Sequence, residues 1–380
     1  MTEAEIRVAN WLQAWDAQGT HRTGTSGDKA GAEWLAREAA ALGAEVTSEE
    51  FEFDRLDIVE AYLEIEGQRI EGVPVFDAPP TDVDGIAGRL GPPEDDTEIN
   101  AAWLPPYSVY DGRAATLRQI VGGRGFVIIC HGNEPGLALL NAERFRDPFG
   151  APAIYVSSEA RSAVHAAVRD REPARLVSHS RRTKAQAVNT VVRFKGSDPS
   201  RRPLVVMTPR SSWWQSTAER GGGIVSWLES LRALMAEVPG RDVVFTANTG
   251  HELGHLGLDD FVARRPGWDQ PGGSDWVHYG ANLGATGGVL SLVSNQANLR
   301  ALGLAELNRA GQPPDDIPWP AQPPSGETRD IHKAGGRYLT LVGTNRLFHL
   351  PQDRWPHAVD VPAVARIAAA SAALVLALSR

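Results

Sequence analysis

The stretch Gly250-His251-Glu252-Leu253-Gly254-His255-Leu256-Gly257 decides how this chain is read, because it admits two incompatible local structures. On a helix, residues four apart share a face, so His251 and His255 could hold one Zn²⁺ while Glu252 orients a water. Two features oppose that helix. Gly254 weakens a helix interior by roughly 0.5 to 1 kcal/mol relative to Ala. Leu258 and Phe261 stand where the longer His-Glu-x-x-His-x-x-Gly-x-x-His pattern carries Gly and His.

Outward from that stretch, the chain from about residue 187 reads as alternating strands and helices. NTVVRFKG (189–196) and PLVVMTP (203–209) are strands, GIVSWLESLRALMAEV (223–238) is a helix, and RDVVFTAN (241–248) is a strand followed by a helix beginning near His251. RYLTLVG (337–343) is a further strand, and VPAVARIAAASAALVLALS (361–379) is the last helix. Such alternation predicts a mixed, largely parallel sheet sandwiched by helices, with its site beyond the C-terminal ends of the strands. That rule singles out the loops TPRSSWWQSTAERGGG (208–223) and TGHELGHLG (249–257). Without the Lys-Ser/Thr of a phosphate-binding loop, Gly221 to Gly223 read as a tight turn into the following helix.

On the N-terminal side, Ile6, Ala9, Trp11, Leu12 and Trp15 fall at helical spacing, so the start of the chain reads as an amphipathic helix and not a signal peptide. A loop, a second helix ended by Gly43 and a strand, EVTSEEFEF, follow. Between residues 55 and 186 the texture changes to short strands and Pro/Gly turns, including GRGFVIICHG (123–132), APAIYVSS (151–158) and a helix at EARSAVHAAVRD (159–170). This predicts a β-rich inserted domain at 55–186, with residues 1–54 and 187–380 forming the α/β domain.

The 380 residues allow a large core, and 42% hydrophobic with 22% charged residues is the balance of an ordinary globular protein. A net charge of -9 argues against nucleic acid or an anionic membrane surface as the main partner. The apolar final helix raises a membrane span, but Arg366 interrupts it and it reads better as a helix packed on a sheet. A cytoplasmic location is expected. The single cysteine, Cys130, excludes an intramolecular disulfide and reads as a small buried strand residue.

In their order along the chain, HRTGTSG, TPRSSWW, TAERGGG, GHELGHLGL, GANLGA and FHLPQD resemble the motifs of the M28 metallopeptidases, co-catalytic zinc exopeptidases that often carry a protease-associated insert. The resemblance covers most of the chain and implies that 55–186 is that insert. It also offers the second reading of GHELGHLG, as a Glu-Glu-x-Gly turn after a strand, with Gly254 and Gly257 at the family's glycines.

Carried over residue by residue, the resemblance implies one metal site from Glu219, Glu252 and His349. The other is lost, with Pro209 in place of a His and Ala281 or Asn282 in place of an Asp. His251 replaces the family's general-base Glu and could serve as general acid or base. Asp353 is placed to orient His349.

The resemblance therefore implies a hydrolase of an amide or related C–N bond with at most one divalent ion, zinc first, and a small-molecule or short peptide-like substrate other than an ordinary peptide. A metal-free enzyme using Glu219, His251 and Ser211 or Ser212 is the alternative, as is a binding protein that kept the fold. His21, Arg22, Arg210, Trp213, Trp214 and Asn282 are the candidate substrate contacts, the arginines gripping a carboxylate. His131, His165, His179, His278, His332 and His357 are expected to be ordinary surface or core residues. The insert offers a surface for a homodimer.

Overall fold

The computed structural model describes residues 1–105, 113–120, 122–130, 134–315 and 323–380. Two helices open the chain, α1 (Glu3–Asp16) and α2 (Ser26–Ala41). Thr2 caps α1 with a capping box to Glu5, and Trp11, Leu12 and Trp15 are buried along one face, as their spacing predicts.

The α/β part contains strands β1 (Val46–Ile65), β7 (Pro173–Phe194), β8 (Leu204–Pro209), β9 (Val243–Asn248), β10 (Asp275–Tyr279), β11 (Leu290–Ser294) and β12 (Arg337–Gly343). Its helices are α5 (Thr217–Leu234), α6 (Leu256–Ala263), α7 (Ala297–Arg309), α8 (Thr328–Lys333) and α9 (Val361–Ser379). Strands β8, β9, β10 and β12 pair in parallel, while β7 and β11 join them antiparallel. Every residue of β8 and β9 is buried, as expected where helices cover both faces of a parallel sheet. Successive side chains alternate between faces. Leu204 and Val206 enter the core under α1, α5, α7 and α9, and Val205 and Met207 enter the opposite core with Leu258, Phe261 and Ile331.

Helix α9 is long and apolar enough to cross a membrane by length and composition. Here it packs chiefly on the helices α5, α7 and α1, with Val364, Ile367, Leu374 and Val375 in the core.

Residues between β1 and β7 form β2 (Gln68–Pro74), β3 (Ile86–Gly91), β4 (Ile99–Leu104), α3 (Arg113–Ile120), β5 (Gly125–Cys130), β6 (Ala153–Val156) and α4 (Arg161–Asp170). The expected strand at 123–132 is thus β5. Its last two residues, His131 and Gly132, lie outside the described residues. Cys130 is fully buried, and burial pushes its thiol up. Among the described residues, the twelve strands form one sheet in the order β1-β2-β6-β5-β4-β3-β7-β9-β8-β10-β12-β11. The expected insert boundaries at 54 and 187 both fall inside strands. β1 and β7 pair continuously from Val46↔Val192 to Ile65↔Ala174, broken by one irregularity at Ile58/Glu60, and carry the chain from one part of the sheet to the other.

Two sequence expectations change in α5. Gly221 to Gly223 lie within the helix, which begins at Thr217, and do not form a turn before it. A Cβ on Gly222 would stand 1.8 Å from the Leu283 carbonyl oxygen, and one on Gly223 2.7 Å from Thr208 Oγ1. The glycines allow a helix to lie flush against the strand ends, at a cost in helix propensity.

Candidate active site

The parallel strands β8 and β9 end side by side, Pro209 opposite Asn248, so the two loops that follow meet over the sheet's C-terminal edge. After β9 the chain makes one 3-10 turn, His251–Leu253, before α6. Gly250, Gly254 and His255 have φ of 83°, 77° and 63°, all left-handed, which breaks any helix through His251 and His255. The zinc-helix reading is thereby excluded. Gly254 is required on two counts, its backbone angle and the 2.8 Å that would separate a Cβ from the Glu143 carbonyl oxygen. The two imidazoles still come within 5.1 Å of each other but serve different carboxylates. His255 Nδ1 bonds Asp330 at 2.5 Å, and although burial opposes its charge, Asp330 outweighs this and holds it above the usual histidine range.

His251 lies on the wall of a cavity of about 330 Å³ that also exposes His278, Asn282, Ser325, Arg346 and Phe348. Its Nδ1 is 3.3 Å from Glu327 Oε2, close enough for an ion pair though misaligned for a hydrogen bond. The same oxygen is 3.3 Å from His278 Nε2, and His278 Nδ1 is within 2.7 Å of both the Thr340 and Thr328 hydroxyls. Glu327 is fully buried. Burial opposes its charge, but the His251 charge and the two imidazole contacts hold it well below the usual carboxylate range. Burial first, then the nearby Arg220 charge, lowers His251 to about 4, so at neutral pH it is an uncharged imidazole.

Behind the cavity wall lies a second polar cluster. Glu219, on the first turn of α5, places Oε1 2.7 Å from Arg220 Nη2 and 3.6 Å from His349 Nε2. Burial opposes ionisation of Glu219, but above all the Arg220 charge outweighs it and keeps the carboxyl below its ordinary range. Glu252 faces elsewhere. It accepts 2.7 Å and 2.6 Å bonds from the Thr23 N–H and the Ser211 hydroxyl, and burial raises its carboxyl.

Glu219, Glu252 and His349 therefore do not meet as a ligand set. Among the described residues, no three His, Cys, Asp or Glu side chains are gathered as a metal ion requires. A divalent ion would need free oxygens at about 2.0–2.2 Å. Here both oxygens of Glu252 are engaged and a guanidinium abuts Glu219, so the residues present do not fit the metal.

The remaining candidates separate into cavity and scaffold. Asn282 lines the cavity at φ 67°, donates from Nδ2 to the Gly343 carbonyl at 3.2 Å, and leaves a buried Oδ1 without a partner. His21 is fully buried, stacked 3.6 Å from Trp15 and bonded to the Gln215 carbonyl. Arg210 is spent on Asp28 and the Val188 carbonyl, and Arg22 on the Leu56 carbonyl with its charge over Phe76. Trp213 packs on Phe76, and Trp214 donates to the His349 carbonyl. Ser212 donates to the Trp214 carbonyl, and Ser211 holds Glu252. None of these seven lines the cavity.

Asp353 does not orient His349, whose Nδ1 meets the Leu139 carbonyl at 2.6 Å. It caps α5 instead, accepting from the Ala218 and Glu219 N–H groups, and burial with the Glu219 charge raises it to about 7. Glu327 and Arg220 are the residues that sequence reasoning missed, and His278 was set aside. Glu327 sits in a Pro/Gly-rich segment with no periodicity, whereas Arg220 was legible as a cation next to Glu219.

The chain is thus a mixed α/β protein whose candidate site lies on the C-terminal edge of its parallel strands. Structural comparison gives the particular fold. The chain matches a zinc aminopeptidase from Bacillus subtilis, BSAP, at TM-score 0.78 and 18% identity, covering 97% of this chain and 94% of that one. It matches an aminopeptidase from Aneurinibacillus sp. strain AM-1 at 0.73 and 14% identity, over 99% and 94% of the two chains. A peptidase M28 precursor from Shewanella amazonensis SB2B also gives 0.73 and 14%, over 99% and 97%. The chain thus has the M28 metallopeptidase fold. No family model matches the sequence, and no curated protein matches it.

Proposed function

We propose that this chain is a hydrolase of an amide or related C–N bond that works without a metal ion, with His251 as general base and acid and Glu327 as the residue that positions it. The observation that carries the reading is the neutral imidazole of His251 on the cavity wall, backed by a buried carboxylate. A neutral imidazole can accept a proton, and a carboxylate beside it stabilises the imidazolium that results. In the hydrolytic step His251 takes a proton from water as its oxygen attacks the carbonyl carbon. The imidazolium, stabilised by Glu327, then returns the proton to the departing amine nitrogen as the C–N bond breaks. Asn282 gives the cavity a polar wall and Phe348 an apolar one, which suits a small-molecule or short peptide-like amide. The solved structures that share this fold are aminopeptidases and a peptidase, which supports C–N hydrolysis as the class of reaction.

One observation favours a second reading, a binding protein on the same fold: none of the serines proposed as nucleophiles reaches the cavity bearing His251. A panel of aminoacyl anilides, acyl amides and short peptides, assayed with a chelator present, separates the two. The hydrolase reading expects chelator-insensitive turnover that His251→Ala lowers by about 10²-fold or more. Turnover that zinc restores after chelation, or that survives intact in His251→Ala, rejects this mechanism, and binding without turnover favours the second reading.

A further inference from the structure

Arg220 is almost fully buried, and its environment accounts for only part of its bonding capacity. Nε donates to the Ser211 carbonyl at 2.7 Å, while Nη1 and Nη2 make no aligned hydrogen bond. Glu219 Oε1 and His349 Nε2 are likewise buried without a hydrogen-bond partner. Four unsatisfied polar atoms are thus shared by three side chains centred on Glu219, whose Oε1 lies 2.7 Å from Arg220 Nη2 and 3.6 Å from His349 Nε2. Ser211 ties the cluster together, since its carbonyl holds Arg220 and its hydroxyl holds Glu252. The three side chains of the metal trio read from the sequence are therefore linked to this guanidinium, Glu219 directly, His349 through Glu219 and Glu252 through Ser211.

A guanidinium cannot lose its proton in a protein, so Arg220 is a permanent positive charge. A buried carboxylate needs such a partner, and a bound cation could supply the same compensation. The two oppose each other. Glu219 Oε1 already contacts the guanidinium and Oε2 accepts from the Ser216 hydroxyl at 3.0 Å, so an ion ligated by either oxygen would sit beside a permanent positive charge that repels it.

We infer that Arg220 is a tethered cation standing in place of a metal ion, compensating Glu219 permanently and excluding divalent ions from Glu219 and His349. The inference rests on the metal-free half of the proposed function and is independent of whether His251 catalyses anything. It also gives Arg220 a purpose beyond an ion pair: the fold keeps its central charge balance whatever metal is available.

The test reads metal binding and stability, not turnover. Wild type, Arg220→Asn, Arg220→Met and Arg220→Lys are purified without metal-affinity columns, stripped with EDTA and melted with and without excess zinc sulfate. Zinc content is read by elemental mass spectrometry. Wild type and Arg220→Lys are expected to retain no stoichiometric zinc and to melt at a temperature that neither zinc nor EDTA moves. The Asn and Met variants are expected to melt lower in EDTA, to be raised by zinc, and to bind zinc at least about tenfold more tightly than wild type. Adding His349→Ala to either should abolish that gain.

Stoichiometric zinc in wild type, or neutral variants that fold and bind zinc no better than wild type, overturns the inference. Should neither neutral variant fold, zinc titration of wild type by native mass spectrometry decides, binding overturning the inference and its absence supporting it. The two readings fail separately. Zinc bound to wild type with His251→Ala still inactive leaves the acid–base role standing, and a zinc-free but inert protein leaves the role of Arg220 standing.

Discussion

At the scale of residues, the pair His251 and Glu327 sets the pH behaviour. His251 has a folded pKa of about 4 against 6.5 for an unperturbed imidazole, lowered by burial and then by Arg220. It is therefore competent as a base above about 4. Between 6.5 and 4 the unfolded chain protonates this imidazole and the fold does not, so His251 lowers stability as the pH falls through that window. Glu327 works against this by favouring the imidazolium. Glu327→Gln is expected to move the acid limb of kcat/KM to lower pH and to reduce the plateau by about 10²-fold, since the imidazolium loses its counter-charge. A lower plateau with an unmoved limb would assign Glu327 to packing alone, and pH profiles of the two proteins decide it. His21 is a contrasting case. It is equally buried and lowered to about 3, chiefly by burial, yet it stacks on Trp15 away from the cavity, so a perturbed imidazole marks a functional group only where geometry also places it at a site.

At the scale of elements, α5 shows local propensity yielding to packing. Three successive glycines in the second turn weaken a helix, and an exposed Gly→Ala change there would gain up to about 1 kcal/mol. At Gly222 the opposite is expected. The added methyl would meet the Leu283 carbonyl, which is backbone and cannot swing away, so Gly222→Ala should destabilise by about 1–3 kcal/mol as overpacking does. Urea unfolding measures this, and a variant as stable as wild type would show that α5 can shift away from the strand ends. Because Glu219 and Arg220 sit in the same helix, such a shift would also move the charged cluster.

At the scale of the whole molecule, the insert-like segment and the α/β part are bound by more than chain connectivity. β1 and β7 run through both, and one core cluster joins Phe76, Leu139 and Phe145 to Trp213, Leu253 and Leu350. Polar contacts beside the site also span the two, since His349 is held by the Leu139 carbonyl and the Ala142 N–H donates to the Glu252 carbonyl. A single cooperative transition is expected, with tryptophan fluorescence and far-ultraviolet circular dichroism coinciding in urea. Two resolved transitions would mean that the shared cluster is too weak to couple the parts.

The alternation of strands and helices, the burial of β8 and β9 and the glycine-bearing turn after β9 were legible in the sequence, because these are local consequences of periodicity and backbone sterics. Strands β10 and β11 and helices α7 and α8 were not recognised, being short or weakly patterned. The sequence also brought forward His251, Glu219, Glu252 and His349 through their motifs. What it could not supply was which way each side chain faces. Only the tertiary structure turned Glu252 toward Thr23 and Ser211, brought Glu327 from a segment without periodicity to His251, and set Arg220 against Glu219. The physical reason is that periodicity and turn chemistry act between near neighbours in the chain, whereas the orientation of a buried charged group is settled by every element packed around it, from the adjacent residue to one 229 positions away, as Thr23 is from Glu252.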